Sequence, residues 1–316
     1  MKPKLYPLTF HPIYKEKLWG GRRFAELFGR SLPSGPIGES WDVAAHPNGV
    51  SVVAQGELAG RSLEELVNLY GIDLVGFKGR QKDGKFPLLL KFIDARQDLS
   101  VQVHPDDEYA ALNIPGELGK TEMWYIVHSD PGAWIIWGLR PGVTRERFSE
   151  AVKKGGSAIL DCLNKVQVKA GEIYPISAGL VHALGAGVVV AEVQQNSDTT
   201  YRVYDWDRVD DQGQPRDLHI TQALEVIDFS QEAYSMDYHF ARCSQHFLLQ
   251  VHNGPTTKTI ELEDSFHIVT SVDRDAHITA DGSTTKIGKG QSCLVPACLK
   301  RYVLDGKGIV LQSSLP

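Results

Sequence analysis

Apolar and polar positions along this chain fall into short blocks, not long helical stretches. FPLLLKFIDA (Phe86 to Ala95) is apolar on consecutive positions with one lysine inside it, the pattern of a strand buried on both faces. LSVQVH follows as the next strand. GESWDVAAHPNGVSVVA (Gly38 to Ala54) alternates and contains turn residues, so it predicts strand, turn, strand. TEMWYIVHS and GAWIIWGL flank the turn Ser129 to Gly132 and predict a hairpin. From Asn164 onward nearly every block predicts a strand: KVQVKAGEIYPISAG, GVVVAEVQQ, TTYRVYDWD, and short strands beyond about Tyr238.

Helical spacing is confined to short pieces. GGRRFAELFG is one amphipathic piece. SLEELVNLYGI has Ser62 as N-cap and Glu65 three residues on, a capping-box pattern. PDDEYAALN predicts a helix opened by Pro105 in its first turn. TRERFSEAVKKG has a basic last turn and a glycine stop, and TQALEVIDF is one more short helix. AGEIYPISAGLVHAL (Ala170 to Leu184) also aligns with KGQSCLVPACLKRYV (Lys289 to Val303): in each a Gly is followed seven residues later by an Ala, with a Pro between. That repeat predicts one strand-turn-strand unit of a small antiparallel barrel, present twice. Arg301 in the second copy stands where the first has His182, so the second barrel is expected to be structural.

The fold class expected is therefore mainly β: a larger barrel, a smaller C-terminal β-barrel and a few short helices. Residues 1–235 are expected to form the catalytic unit with its helical insertions, and 236–316 the C-terminal unit. Composition changes little in this picture. A length of 316 residues leaves room for two or three modules. A net charge of −6 without a basic run argues against nucleic acid as a partner. No stretch has the length of a membrane span, and the first residues lack a signal-peptide core, so a cytoplasmic location is the default expectation. Cys162, Cys243, Cys293 and Cys298 are scattered and are expected to be small buried hydrophobes.

The candidate chemistry centres on Gln102 and His104. Residues i and i+2 of a strand face the same way, so both side chains can aim at one point. Glu122 on the following apolar run and His182 in PISAGLVHAL would complete a four-donor site. Such a mixed nitrogen and oxygen set suits zinc with an open position, or iron or manganese. Each residue alone also reads as a satisfied core residue; it is the combination that would leave polar groups unpaired without a metal. Lys91 sits alone in its apolar strand and needs an anionic partner, unless it lies on an edge and reaches solvent. Lys120 shares the face of Glu122 if the strand already runs there, and is otherwise a solvated loop residue. Arg202 either faces the site or pairs with Asp205 or Asp207. Asp198 falls in a turn, and Trp19, Glu39 and Trp41 are weaker signals. The glycines of GLVHALGAG fit neither dinucleotide nor P-loop spacing.

LWGG, GESW, LLLKFIDA, LSVQVHPDD, GKTEMWYI, PISAGLVHALGAG and NSDTTYRVYDWDR together resemble the type I mannose-6-phosphate isomerases of the short bacterial kind. The resemblance spans about two-thirds of the chain and is most specific in QVHPDD and GKTEMWY. It implies a cupin fold of jelly-roll barrels and interconversion of mannose 6-phosphate and fructose 6-phosphate. It also implies one zinc ion per chain, with other divalent metals able to substitute. The zinc ligands it implies are Gln102, His104, Glu122 and His182. It maps an active-site arginine onto Arg202 and a lysine onto Lys120. Leu184 stands where longer members have a tyrosine, so any contact of that tyrosine is missing here.

A proton shift through a cis-enediolate is the expected route, with Arg202, Lys120 and Glu39 as catalytic candidates. Lys91, Ser100, Trp19 and Asp198 are the substrate-binding candidates. The partner expected is a small sugar phosphate, bound by a monomer or homodimer, with neither nucleic acid nor membrane involved. Two rival readings use the same residues: an iron(II) cupin oxygenase built on His104, Glu122 and His182, and a non-catalytic sugar-binding cupin.

Overall fold

A computed structural model describes residues 2–81, 84–209, 212–230, 240–243 and 246–316. The expected domain boundary at 235 and the side chain of Cys243 lie outside the described residues. Four large antiparallel sheets are stacked in pairs. The first pair joins a six-stranded and a five-stranded sheet. The six-stranded one runs Ile173–Ile176, Glu122–Ser129, Val188–Gln195, Leu88–Ala95, Ile13–Gly21, Ile37–Val43. The five-stranded one runs Leu163–Gln167, Trp134–Leu139, His182–Leu184, Val101–Val103, Tyr201–Tyr204. Trp124, Ile126, Ile135, Ile176 and Val190 fill the space between them.

The second pair joins a seven-stranded and a four-stranded sheet. The former runs Phe240–Cys243, Phe247–His252, Val310–Ser314, His267–Ser271, Ser292–Val295, Leu8–His11, Val52–Val53. The latter runs Thr256–Glu261, Arg301–Gly306, Ala276–Ala280, Ser283–Ile287. Val269, Ile278, Val295 and Leu304 pack between these two. The six- and seven-stranded sheets then meet back to back. Leu90, Phe92, Met123 and Tyr125 of one face Leu249, Ile268, Leu294 and Leu311 of the other. Two double-layered β units thus share a third apolar layer, as the mainly β expectation requires. The N-terminal strand Leu8–His11 pairs with Ser292–Val295 and ties the two chain ends together.

Sharing that layer explains FPLLLKFIDA. A strand with apolar neighbours on both faces loses period-two alternation, and every residue of Leu88–Ala95 is buried. Short helices cover the outer face of the five-stranded sheet, where Phe148, Ala151 and Ala223 meet Val101, Val103 and Ile136. Ser62 and Glu65 form the expected capping box on Leu63–Tyr70. Thr144 caps Arg145–Lys154. Among the described residues no helix is long and apolar enough to cross a membrane.

Three expectations change. Glu122–Ser129 and Trp134–Leu139 do not form a hairpin with each other. The turn between them carries the chain from the six-stranded to the five-stranded sheet, anchored by Asp130 N–H on the Gly187 carbonyl. Turn residues between two apolar runs are common to a hairpin and to such a corner, so the local pattern cannot separate them. The helix after His104 is Asp107–Asn113, capped by the Asp106 carboxylate on Tyr109 N–H, and Pro105 lies before the cap. Cys162 and Cys293 are buried, whereas Cys298 is exposed.

Candidate metal centre and active site

Both faces of the first β unit contribute to one site. Gln102 and His182 lie directly across from each other on neighbouring strands of the five-stranded sheet. Glu122 opens the Glu122–Ser129 strand of the opposing sheet, held between Ile176 and Gln194. His104 follows the Val101–Val103 strand, where its carbonyl accepts from Gly179 N–H. The donor atoms of His104, Glu122 and His182 all lie within 4.8 Å of one another, and all three residues are buried. His104 Nε2 is 3.4 Å from one Glu122 oxygen and His182 Nε2 is 3.5 Å from the other. Gln102 Nε2 is 3.2 Å from His182 Nε2.

This donor set fits a divalent cation. His182 Nδ1 donates to the Leu180 carbonyl at 2.9 Å, which fixes the tautomer and leaves Nε2 as a bare acceptor facing the carboxylate. Burial pushes both imidazoles below their usual range, His104 to about 3, so neither brings a proton to the cluster. Burial alone would raise the Glu122 carboxyl, but Lys120 and His104 hold it well below the ordinary value. A half-turn of the Gln102 amide exchanges its donor end for an oxygen acceptor.

Lys120 lies outside the strand, yet it is not a solvated loop lysine. Its N–H donates to the Pro105 carbonyl, which folds the loop inward. Its ammonium then reaches Glu122 at 2.8 Å and His104 Nε2 at 3.0 Å, with 3 % of the residue exposed. The loop is fastened from outside by a polar clasp: His46 Nε2 meets Glu117 at 3.1 Å, and Ser197 Oγ donates to the Leu118 carbonyl.

Beside the donor cluster opens a cavity of about 300 Å³. Ser100, Gln102, Lys120 and Trp124 line it near the cluster, and Trp19 and Leu184 supply apolar wall. Thr200, Arg202, Arg216, His219 and Asp198 also line it, with Arg202 directly across the ladder from Gln102. Asp198 is exposed and accepts from the Asn48 amide at 2.8 Å. Arg202 does not pair with Asp205, which binds Arg208 and Arg216 instead. Among the described residues no carboxylate pairs with Arg202, and burial and the Arg216 charge depress its pKa.

Lys91 turns out to be central, not at an edge. It faces Glu192 across the ladder, with 3.0 Å between ammonium and carboxylate, and lies 3.9 Å from Glu39. Burial would deprotonate Lys91, but Glu192 and Glu39 drive its pKa well above the ordinary value. Trp124 Nε1 donates to Glu192 at 2.6 Å, and Trp41 Nε1 donates to Glu39 at 2.7 Å. Glu192, Lys17, Thr200, Arg216 and His219 were missed by sequence reasoning. For Glu192 a signal existed: GVVVAEVQQ is an apolar strand with one carboxylate, the complement of FPLLLKFI with one lysine.

Glu39 supports a pH prediction. Burial raises its carboxyl, but Lys91 and Lys17 outweigh that and lower it from 4.5 to about 2. A depressed folded-state pKa adds stability above the unfolded value, and that stability drains as pH falls through the folded one. Wild type should therefore exceed Glu39→Gln by about 3 kcal/mol above pH 5, the gap narrowing toward pH 2. Denaturant unfolding of both proteins across that range measures it, and a gap independent of pH would contradict the assignment.

Comparison with known proteins agrees with this architecture. The family model described as phosphomannose isomerase type I, catalytic domain, matches residues 8–125, and that of the mannose-6-phosphate isomerase cupin domain matches 236–315. The chain is 36% identical to the mannose-6-phosphate isomerase ManA of Bacillus subtilis, over 98% of this chain and 99% of that one. It is 37% identical to the mannose-6-phosphate isomerase of Streptococcus mutans, over 97% of this chain and 98% of that one. The crystal structure of the mannose 6-phosphate isomerase from Bacillus subtilis superposes with a TM-score of 0.87 at 33% identity, covering 97% of this chain and 99% of that one. With sheets, site and sequence in agreement over nearly the whole length, the chain belongs to the type I phosphomannose isomerase family.

Proposed function

We propose that this protein interconverts mannose 6-phosphate and fructose 6-phosphate, with one zinc ion held by Gln102, His104, Glu122 and His182. The observation that carries this reading is the buried convergence of two imidazoles and a carboxylate beside a cation-lined cavity. Kinship with mannose-6-phosphate isomerases supplies the substrate. A two-histidine, one-carboxylate set also serves iron(II) oxygenases. That reading, and a non-catalytic binding protein, are not favoured by this kinship.

When bound, zinc would polarise the carbonyl and hydroxyl oxygens at C1 and C2. The protein must then move one proton between these carbons and balance the charge that grows on the two oxygens. Arg202 has a guanidinium facing the cavity and takes the charge-balancing role. Lys120 adds a second cation beside the donor cluster. Of the carboxylates that line the cavity, Glu39 and Glu192 are buried and Asp198 is exposed. Glu39, held near 2, is a weak base. Glu192 is raised by burial and by the Glu122 charge, so it is the better proton acceptor. Lys91, one of the substrate-binding candidates, then also holds Glu192 in position. Ser100 with Thr200 and Arg216 would hold the phosphate. Trp19 gives the sugar an apolar wall, and Asp198 accepts from a hydroxyl.

Purified protein should convert fructose 6-phosphate to mannose 6-phosphate. Exhaustive chelation should cut turnover by at least about a hundredfold, and zinc should restore it. A coupled assay before chelation, after it and after zinc return decides the matter. Absence of turnover by folded, zinc-loaded protein would refute the assignment.

A further inference from the structure

The repeat between Ala170–Leu184 and Lys289–Val303 holds in three dimensions. An offset of 119 residues carries Ile173–Ile176 onto Ser292–Val295, each flanking an inner strand of its sheet. In the first unit Glu122 lies between Ile176 and Gln194. In the second, His267 lies between Val295 and Ser314. The same registers put Gln312 in the place of Glu192 and Gln250 in the place of Lys91. Two residues before His267, Ser265 stands where Lys120 precedes Glu122. Glu122, Glu192, Lys91 and Lys120 of the first site thus have neutral or weakly basic hydrogen-bonding counterparts in the second.

These counterparts open on a cavity of about 320 Å³, lined by Ser265, His267, Gln312, Ser314 and Gln250, with Lys78, Glu261 and Glu263 beside them. It is slightly larger than the first cavity. His267 and Gln312 are more than nine-tenths buried. Tyr302 Oη and His252 Nε2 both approach the Gln312 carbonyl oxygen, at 3.5 and 3.0 Å. If the tyrosine spends its one proton there, it accepts from His267 Nδ1–H at 3.1 Å. His267 Nε2 is then an acceptor and the Gln312 amide a double donor. Among the described residues neither of these two nitrogens has a partner. Burial pushes His267 down to about 4, so the imidazole is neutral at physiological pH. The surrounding charges, one ammonium against two carboxylates, do not favour an anion.

We propose that this cavity is a second binding site, for an uncharged, hydroxyl-rich ligand of monosaccharide size. Vicinal hydroxyls donate and accept at adjacent atoms, which matches one acceptor and two donors in the lining of one cavity. No phosphate or metal is required, because the groups that would hold them in the first unit are replaced here.

The test uses full-length zinc-loaded protein with [13C]histidine and D-mannose as probe. His267 is identified by the signal lost in His267→Asn. The His267 and His252 imidazole signals should shift saturably, with a Kd on the order of 1–10 mM. Gln312→Leu should weaken this about tenfold. Gln250→Trp, at an exposed position, should block the cavity mouth and abolish the shift with isomerase turnover unchanged, and it decides the question if Gln312→Leu does not fold. The proposal is overturned if D-mannose leaves His267 unmoved. It is also overturned if the shift persists undiminished in Gln250→Trp, or if only mannose 6-phosphate produces it. Because the readout sits at His267, it stands or fails independently of isomerase activity.

Discussion

Glu122→Gln should leave protein that folds, binds almost no metal after dialysis and turns over at least about a thousandfold more slowly. Glu122 is the one anionic donor of the cluster, flanked by two imidazoles at 3.4 and 3.5 Å. Removing its charge leaves a neutral donor set, which binds a divalent cation far less tightly. The same change also strips the Lys120 ammonium of its partner at 2.8 Å, and an uncompensated buried charge costs about 3–5 kcal/mol. Stability should therefore fall together with metal content. Lys120→Met in the Glu122→Gln background should recover part of the stability and none of the turnover. Metal analysis, denaturant unfolding and the coupled assay separate these effects. Full metal occupancy in Glu122→Gln would contradict the ligand assignment.

Lys91→Met should be the most destabilising single change near the site that spares every proposed metal ligand. It leaves Glu192 and Glu39 in a buried pocket without their shared cation. The loss should be about 3–5 kcal/mol near neutral pH. It should shrink at acid pH, because carboxyls freed of Lys91 rise in pKa. A folded pKa raised above the unfolded one adds stability below it and loses that stability as pH rises. Pairing Lys91→Met with Glu192→Leu should restore much of the stability, since removing both members of a buried pair costs less than removing one. Turnover should stay low in both variants if Glu192 accepts the proton. Urea unfolding at pH 5 and pH 8 with parallel kinetics tests this. A double variant with wild-type turnover would remove Glu192 from the mechanism.

Much of this was legible in the chain because strands convert spacing into direction. Gln102 and His104 two residues apart, and a lysine alone among leucines, are local facts with geometric consequences. Strand partners were not legible. Lys91 was short of a partner only until Glu192 was placed opposite it, and that pairing joins residues 101 positions apart. The corner after Ser129 was misread for a related reason: a turn shows where a strand ends, not which sheet the next one joins. Lys120 depended on a loop folding inward through backbone hydrogen bonds, which side-chain patterning does not encode. Arg202 and Arg208 flank Asp205 at equal distance in the chain, so Arg202 was left with a rival reading that only contacts could remove.

The apolar layer shared by the six- and seven-stranded sheets bears on modularity. Glu122 and Trp124 point into the first unit, while Met123 and Tyr125 between and beyond them point into the shared layer. One strand therefore presents the site on one side and rests on the C-terminal unit on the other. Trimming that unit would not release an independent isomerase. It would wet Leu90, Phe92, Met123 and Tyr125 and leave the sheet beneath the metal ligands with no backing, a fragment prone to self-association. What looks in sequence like a detachable accessory module is, mechanically, the rear wall of the reaction chamber.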